Sequence, residues 1–237
     1  MNAIPVFLQE PSTYLIFQDI VNAIPKKTKF YIVGGAMRNI MFYYFFKKKL
    51  PQRDFDSIII GNHKKFIDNL RKFGFVYGKI RRKNQITLER KKFPKAKELK
   101  DLVVLDIHWK KSGNILKELK QHSSFTINGF AIEVRDLFLK NWRQKIIAMT
   151  GAISDLKSKK LRVNSIDNKH NLFAAIRFMS LGFKKPSKND IDWLLREFKN
   201  APKRRTKTNL KKLFDYVVVK EKAKNLAEKL HLKEEIF

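Results

Sequence analysis

Apolar positions recur along this chain in two rhythms, and the change between them marks its organisation. Ser12 is placed to cap an amphipathic segment that runs to Ile24. Phe30–Val33 predicts a short strand, broken by Gly34-Gly35. Ala36–Phe46 then predicts a helix that is apolar on most faces, with Phe42, Tyr43, Phe45 and Phe46 expected to lie buried against a sheet. After a basic loop over Lys47–Arg53, the apolar run ending Asp54–Ile60 predicts a buried strand. His63–Phe73 predicts a helix closed by Gly74. Phe75–Ile80, Asn84–Glu89, Leu102–Trp109 and Phe130–Val134 alternate or run apolar as strands do, and Ile115–Lys120 reads as helix. From about Gly151 the spacing turns helical, over Lys169–Leu181, Asn189–Lys199, Asn209–Val219 and Glu221–Leu230, punctuated by Pro186 and Pro202. The expected architecture is α+β: a mixed sheet with flanking helices over 1–149, followed by an all-α domain over 150–237.

Composition narrows the function. The chain has 237 residues and a formal net charge of +30, from 52 Lys and Arg against 22 Asp and Glu. Such a surface attracts polyanions. The charge is spread over both halves. Lys79–Lys100 holds ten basic and two acidic residues, and Lys203–Lys212 holds six basic and none acidic. Arg81, Arg82, Lys83, Lys203, Arg204 and Arg205 are the candidate contacts to a polyanion such as nucleic acid. There is no cysteine, which excludes disulfide scaffolds, thiolate zinc sites and cysteine nucleophiles. No apolar run approaches the ~18 residues of a membrane span, and no targeting segment is read at the N-terminus. An intracellular protein is expected, cytoplasmic or in an organelle matrix, with no membrane partner. The five histidines are dispersed without ligand spacing.

The chemistry-bearing stretch is Tyr31-Ile-Val-Gly34-Gly35-Ala-Met-Arg38, followed after fifteen residues by Asp54-Phe-Asp56. A strand entering Gly-Gly and then a helix lets backbone approach a bulky anion, with free N–H groups at the helix start. Arg38 is near enough to reach a phosphate oxygen. Strand periodicity puts Asp54 and Asp56 on one face. Two carboxylates completed by phosphate oxygens and water suit Mg²⁺, and two such ions serve the transfer of a nucleotidyl group.

This joint pattern resembles the nucleotidyltransferase head of the tRNA CCA-adding enzyme and bacterial poly(A) polymerase family, a polymerase beta-like fold followed by a helical neck. Val104-Leu-Asp106-Ile-His-Trp is similar to the family strand that can carry a third acid. For Asp106 that role and a water-facing strand-end acid are both open. Ser124-Phe-Thr126-Ile-Asn128-Gly129 resembles the family's Arg-Arg-Asp-Phe-Thr-x-Asn-Ala. Gly151, Asp155-Leu156 and Leu161-Arg162 resemble its Gly-x-x-x-Asp-Leu…Leu-Arg, and Ala175-Ile-Arg177-Phe178 with Leu181-Gly-Phe183 resembles its neck helix. The resemblance covers roughly residues 30–183.

It implies an Mg²⁺-dependent, template-independent RNA nucleotidyltransferase that moves NMP from ATP or CTP to an RNA 3′ end, as CCA or poly(A)-type addition. Asp54 and Asp56 would hold metal and Asp106 assist. Gly34, Gly35, Arg38, Asn128, Asn168, Asn171 and Arg177 would meet the nucleotide. Arg177 could equally cap a domain interface.

The departures are specific. The family's Arg-Arg-Asp is His122-Ser123-Ser124, and its base-reading Asp and Arg are Asn168 and Asn171. Its Asp-Pro before the glycine is Ala148-Met149. Only a short segment follows the neck, so the expectation is either that its helices form a minimal RNA grip or that a protein partner supplies body and tail domains. A second class of function is an RNA-binding protein of this fold with little or no catalysis, within a larger assembly. A third, an enzyme placing NMP on a small molecule or protein, fits the charge poorly.

Overall fold

The computed structural model describes residues 4–50, 54–82, 84–94, 101–110, 113–164 and 171–199. The chain divides into two compact units. The first holds Met1–Gln121 and Asn128–Met149, and the second holds His122–Ile127 and Thr150–Phe237.

The first unit is built on a seven-stranded sheet. Its strands are β1 (Lys29–Val33), β2 (Phe55–Ile60), β3 (Val76–Arg82), β4 (Gln85–Lys91), β5 (Leu102–Lys110), β6 (Phe130–Glu133) and β7 (Ile147–Ala148). Their spatial order is β3-β4-β5-β2-β1-β6-β7. All neighbours are antiparallel except β2 and β5, which run parallel.

One face of this sheet is covered by aromatic side chains. Phe55 of β2 meets Phe17 of α1 (Pro11–Ala23) at 5.0 Å between centroids. Phe30 of β1 meets Phe66 of α3 (His63–Lys72) at 4.7 Å. Alternation then turns Asp56 to the opposite face, where it is exposed. A helix α4 (Ile115–His122) follows β5.

Several elements depart from the sequence reading. The first helix starts at Pro11, with Glu10 and not Ser12 at the cap position. The hydroxyls of Ser12 and Thr13 instead donate to the Glu10 carboxylate. Proline at the first helical position costs nothing, because its missing N–H would be unbonded there. Helix α2 spans Gly34–Phe46, so both glycines belong to it, and it stops at Lys47, which adopts φ +56. Of its aromatic run only Phe42 is fully buried, and Tyr44 is exposed. Five consecutive aromatics, Phe42 to Phe46, spread over more than one face of a helix. Strand β7 and the short 3-10 turns after β6 are too brief to carry a periodic signal.

In the second unit the described helices are α5 (Ala152–Lys157), α6 (Asn171–Ser180) and α7 (Lys188–Lys199). The 122–127 segment joins them through a Phe125–Val163 bridge. Phe178 is the aromatic centre, 5.7 Å from Phe125 and 5.6 Å from Phe183. The expected helices over Asn209–Val219 and Glu221–Leu230 lie outside the described residues. No helix among the described residues is long and apolar enough to cross a membrane.

Candidate active site

The site is assembled where β1 turns into α2 beside the start of β2. Gly34 adopts φ +65, a left-handed conformation that favours glycine. A Cβ there would sit 3.3 Å from Asp56 Oδ2 and 3.7 Å from Asp56 Cβ, so the first glycine lies directly against the carboxylate. A Cβ on Gly35 would lie 3.6 Å from Arg38 Nη2, so the guanidinium folds back over the second glycine. Glycine, carboxylate and guanidinium are thus neighbours at the N-terminus of α2. Backbone N–H groups and the helix dipole favour an anion there.

Arg38 is 5% exposed, and its fork is held on two sides. Nη1 donates to Asn128 Oδ1 at 2.7 Å, while Nε and Nη2 both donate to Asn39 Oδ1 at 3.2 and 2.8 Å. This brings together two sequence-predicted residues, Arg38 and Asn128, that are ninety positions apart. Asn39 is a functional candidate that sequence reasoning missed. It sits beside Arg38 in sequence, and an amide next to the arginine expected to reach a phosphate was the available signal.

The acids come from adjacent parallel strands. Asp56 is paired in direct register with Asp106, and Asp106 with Thr87 of β4, so the three side chains lie in a row on one sheet face. Thr87 Oγ1 donates to Asp106 Oδ1 at 2.6 Å, and the Ser57 hydroxyl donates to the Asp106 carbonyl at 3.1 Å. Asp106 is 2% exposed, which answers one question left open by the sequence: it is not a strand-end acid facing water. Asp54 immediately precedes β2 and is half-buried.

A pair of carboxylates that shares a divalent ion with substrate phosphates is what Mg²⁺ takes. Asp54 and Asp56 fit that donor set, with hard oxygen ligands and one exposed member. No group of three or more His, Cys, Asp or Glu side chains in ion-holding geometry occurs among the described residues. A cavity of about 430 Å³ is bordered by Glu10, Thr13, Asn39, Tyr43 and Phe55, and none of the three acids lines it.

The other candidates fall elsewhere. Arg177 is half-buried in the last turn of α6, with its guanidinium carbon 5.2 Å from the centre of the Phe178 ring. Asn171 begins α6. Arg81 and Arg82 lie on β3, the edge strand of the sheet. Asn168, Lys83, Lys203, Arg204 and Arg205 lie outside the described residues.

Two of the motif segments turn out to share a packing role. In the second unit the Thr126 hydroxyl donates to Asp155 Oδ2 at 2.6 Å, and Arg162 Nη2 donates to Asp155 Oδ1 at 3.1 Å. Asp155 is buried, so these bonds satisfy a carboxylate that would otherwise be costly. Two departures also explain each other. A Cβ on Gly129 would fall 2.6 Å from Met149 Sδ and 2.9 Å from Met149 Cβ. The bulkier side chain at 149 and the missing one at 129 are complementary.

No protein-family model matches the chain, and no curated protein matches it in sequence. Solved structures do match in shape. A tRNA-processing enzyme in an apo form aligns at a TM-score of 0.68 with 24% identity, over 98% of this chain and 59% of its own. A CCA-adding enzyme in complex with CTP aligns at 0.67 with 20% identity, over 94% of this chain and 52% of its own. The Thermotoga maritima CCA-adding enzyme complexed with tRNA aligns at 0.64 with 20% identity, over 96% and 52%. The chain spans between half and three-fifths of the length of these proteins. Its fold is the α+β nucleotidyltransferase fold of the CCA-adding enzymes.

Proposed function

We propose that this protein is an RNA nucleotidyltransferase that transfers NMP from ATP or CTP to an RNA 3′ end without a template. The observation that carries the reading is the contact between Gly34 and Asp56, with Arg38 folded over Gly35. It sets an anion-binding helix start against an exposed carboxylate, as transfer from a triphosphate requires. The solved structures of this fold include CCA-adding enzymes with CTP, ATP and tRNA, which supports the choice of substrates.

In the reaction the RNA 3′-hydroxyl oxygen bonds to the α-phosphorus, its proton passes to solvent water, and the α–β phosphoanhydride bond breaks to release pyrophosphate. Arg38 and the α2 backbone hold the triphosphate, so that its position and charge are set before attack. Asp54 and Asp56 would hold Mg²⁺, as one ion or two, which supplies charge neutralisation at the phosphates and a more acidic RNA hydroxyl. Asp106, bonded to Thr87, keeps a second carboxylate beside Asp56 and orients that face. The strong positive charge supplies affinity for RNA phosphates that is independent of sequence.

The test is incubation with Mg²⁺, each labelled NTP singly and in combination, and two acceptors: tRNA lacking its 3′ CCA, and an unstructured oligonucleotide. Short, defined CTP and ATP addition to the tRNA assigns CCA synthesis, and long ATP tails assign poly(A) synthesis. RNA binding without incorporation by the chain, alone or with a partner, would overturn the reading in favour of a non-catalytic RNA-binding role.

A further inference from the structure

We propose that the cavity bordered by Phe7, Phe55 and Lys49 is a second ligand site, which takes a small amphipathic anion: an apolar body of about two or three rings carrying one acidic group. The inference is independent of the nucleotidyltransferase reading and concerns the other face of the sheet. Phe55 borders the cavity, and strand alternation turns its side chain away from that of Asp56.

The walls sort by exposure. Ile40 of α2, Leu50, Phe55 of β2 and Val103 of β5 are buried and make an apolar floor. Phe7 stands against Phe55 with ring centres 5.2 Å apart, so one wall is aromatic and suits a flat apolar group. Gln9, Glu10 and Lys49 are exposed and mark the mouth. Protein interiors leave few voids larger than a water molecule. A space of about 430 Å³ is not packing slack, and it falls in the range of small-molecule sites.

The lining charges set the charge of the ligand. Among the described lining residues three are charged: Glu10, Lys49 and Lys92. Lys92 Nζ lies 2.8 Å from Glu10 Oε2, and the Thr13 hydroxyl donates to the same oxygen at 2.8 Å. Burial pushes the Glu10 carboxyl up, but the bonds from Lys92 and Thr13 outweigh it and hold the group below its ordinary value of 4.5. Glu10 is therefore ionised at neutral pH and offsets Lys92. Lys49 is left over, one positive charge at the mouth of an apolar space. A neutral ligand would leave that charge unanswered, and a dianion would set a second negative charge near Glu10.

The experiment uses the full chain and two fluorescent probes, anilinonaphthalene sulfonate and its uncharged counterpart phenylnaphthylamine, at physiological ionic strength. Thermal unfolding is measured on the same samples. One equivalent of the sulfonate is expected to bind per chain. Val6→Trp, which fills the cavity from the 3-10 turn Val6–Gln9, should abolish that binding without lowering the unfolding temperature. Leu102→Phe fills it from the start of β5 and repeats the test should the first variant fail to fold. Lys49→Gln should weaken the sulfonate about threefold, the scale of one exposed charge pair, and leave the uncharged probe unchanged. Lys64→Gln makes the same charge change at an exposed lysine of α3 and should alter neither.

Binding without a one-to-one end point overturns the proposal, as does wild-type sulfonate binding in a folded cavity-filled variant. So does an equal loss from Lys49→Gln and Lys64→Gln, or an equal loss of both probes in Lys49→Gln. Neither NTP nor RNA enters the measurement. Its failure therefore leaves the proposed activity untouched, and a chain that adds no nucleotide leaves this site standing.

Discussion

Asp56 and Asp106 stand directly opposite each other on neighbouring parallel strands, one exposed and the other almost fully buried. The same chemical group in the same row thus meets two environments. The first carboxylate can be reached from solvent, while the buried one accepts the Thr87 hydroxyl. Asp56→Asn is therefore expected to abolish NMP transfer, by a factor of about 10³ or more, with little change in folding temperature. Asp106→Ala is expected to reduce activity less and to lower stability by about 1–3 kcal/mol, because the Thr87 hydroxyl loses its buried acceptor. Single-turnover rates and denaturant unfolding of the two variants check the contrast.

Gly34→Ala tests the glycine against its own neighbour. The φ of +65 is unfavourable for alanine, and the added methyl would stand 3.3 Å from the Asp56 carboxylate oxygen. The strain costs about 1–2 kcal/mol, and the carboxylate must shift. Activity should fall by more than the loss of stability explains. Transfer rates measured well below the melting temperature decide it.

Gly129→Ala is a test of packing alone. The new methyl would overlap the Met149 side chain, including its Cβ, which has no freedom to swing away. A loss of about 1–3 kcal/mol is expected. Adding Met149→Ala should recover part of it, and urea unfolding of the single and double variants measures the coupling.

His63 stacks on Trp109, with ring centres 4.9 Å apart and planes 7° from parallel. Burial, followed by the charge of Lys64, pushes the imidazole below its ordinary value of 6.5. The unfolded chain therefore takes up the proton first. Stability from this site is complete above about 6.5, and it is lost as the pH falls from there toward the lowered folded value. His63→Phe should flatten the pH dependence of the folding temperature in that window. Indole fluorescence compared with Trp109→Phe should show a titration midpoint below 6.5.

Much of the site was legible because its signal is local. Gly34-Gly35 and Arg38 fall within one turn of each other, and Asp54-Phe-Asp56 needs only strand alternation to share a face. What the sequence could not display were the long-range pairings. Asn128 reads as a nucleotide contact from its motif, but its oxygen is turned to Arg38, ninety residues earlier. The alignment of Asp106 with Asp56 depends on a parallel pairing between strands separated by β3 and β4. The Gly129–Met149 fit was visible only as two unrelated departures until the backbone placed them together. The Ser12 cap failed for a simpler reason, since Pro11 opens the helix two residues earlier than that cap requires.

The 122–127 segment carries a consequence for how the chain can be divided. It belongs to the second unit, yet the chain returns to the first unit for 128–149 before leaving it again. A cut between 149 and 150 leaves the larger fragment holding Phe125, a ring that packs against Phe178, and Thr126, the hydroxyl that serves Asp155. One fragment would present an orphaned aromatic to water, and in the other Asp155 would keep Arg162 but lose the hydroxyl on its second oxygen. The two units are thus stitched rather than strung: neither is inherited, excised or grafted by a single break in the polypeptide.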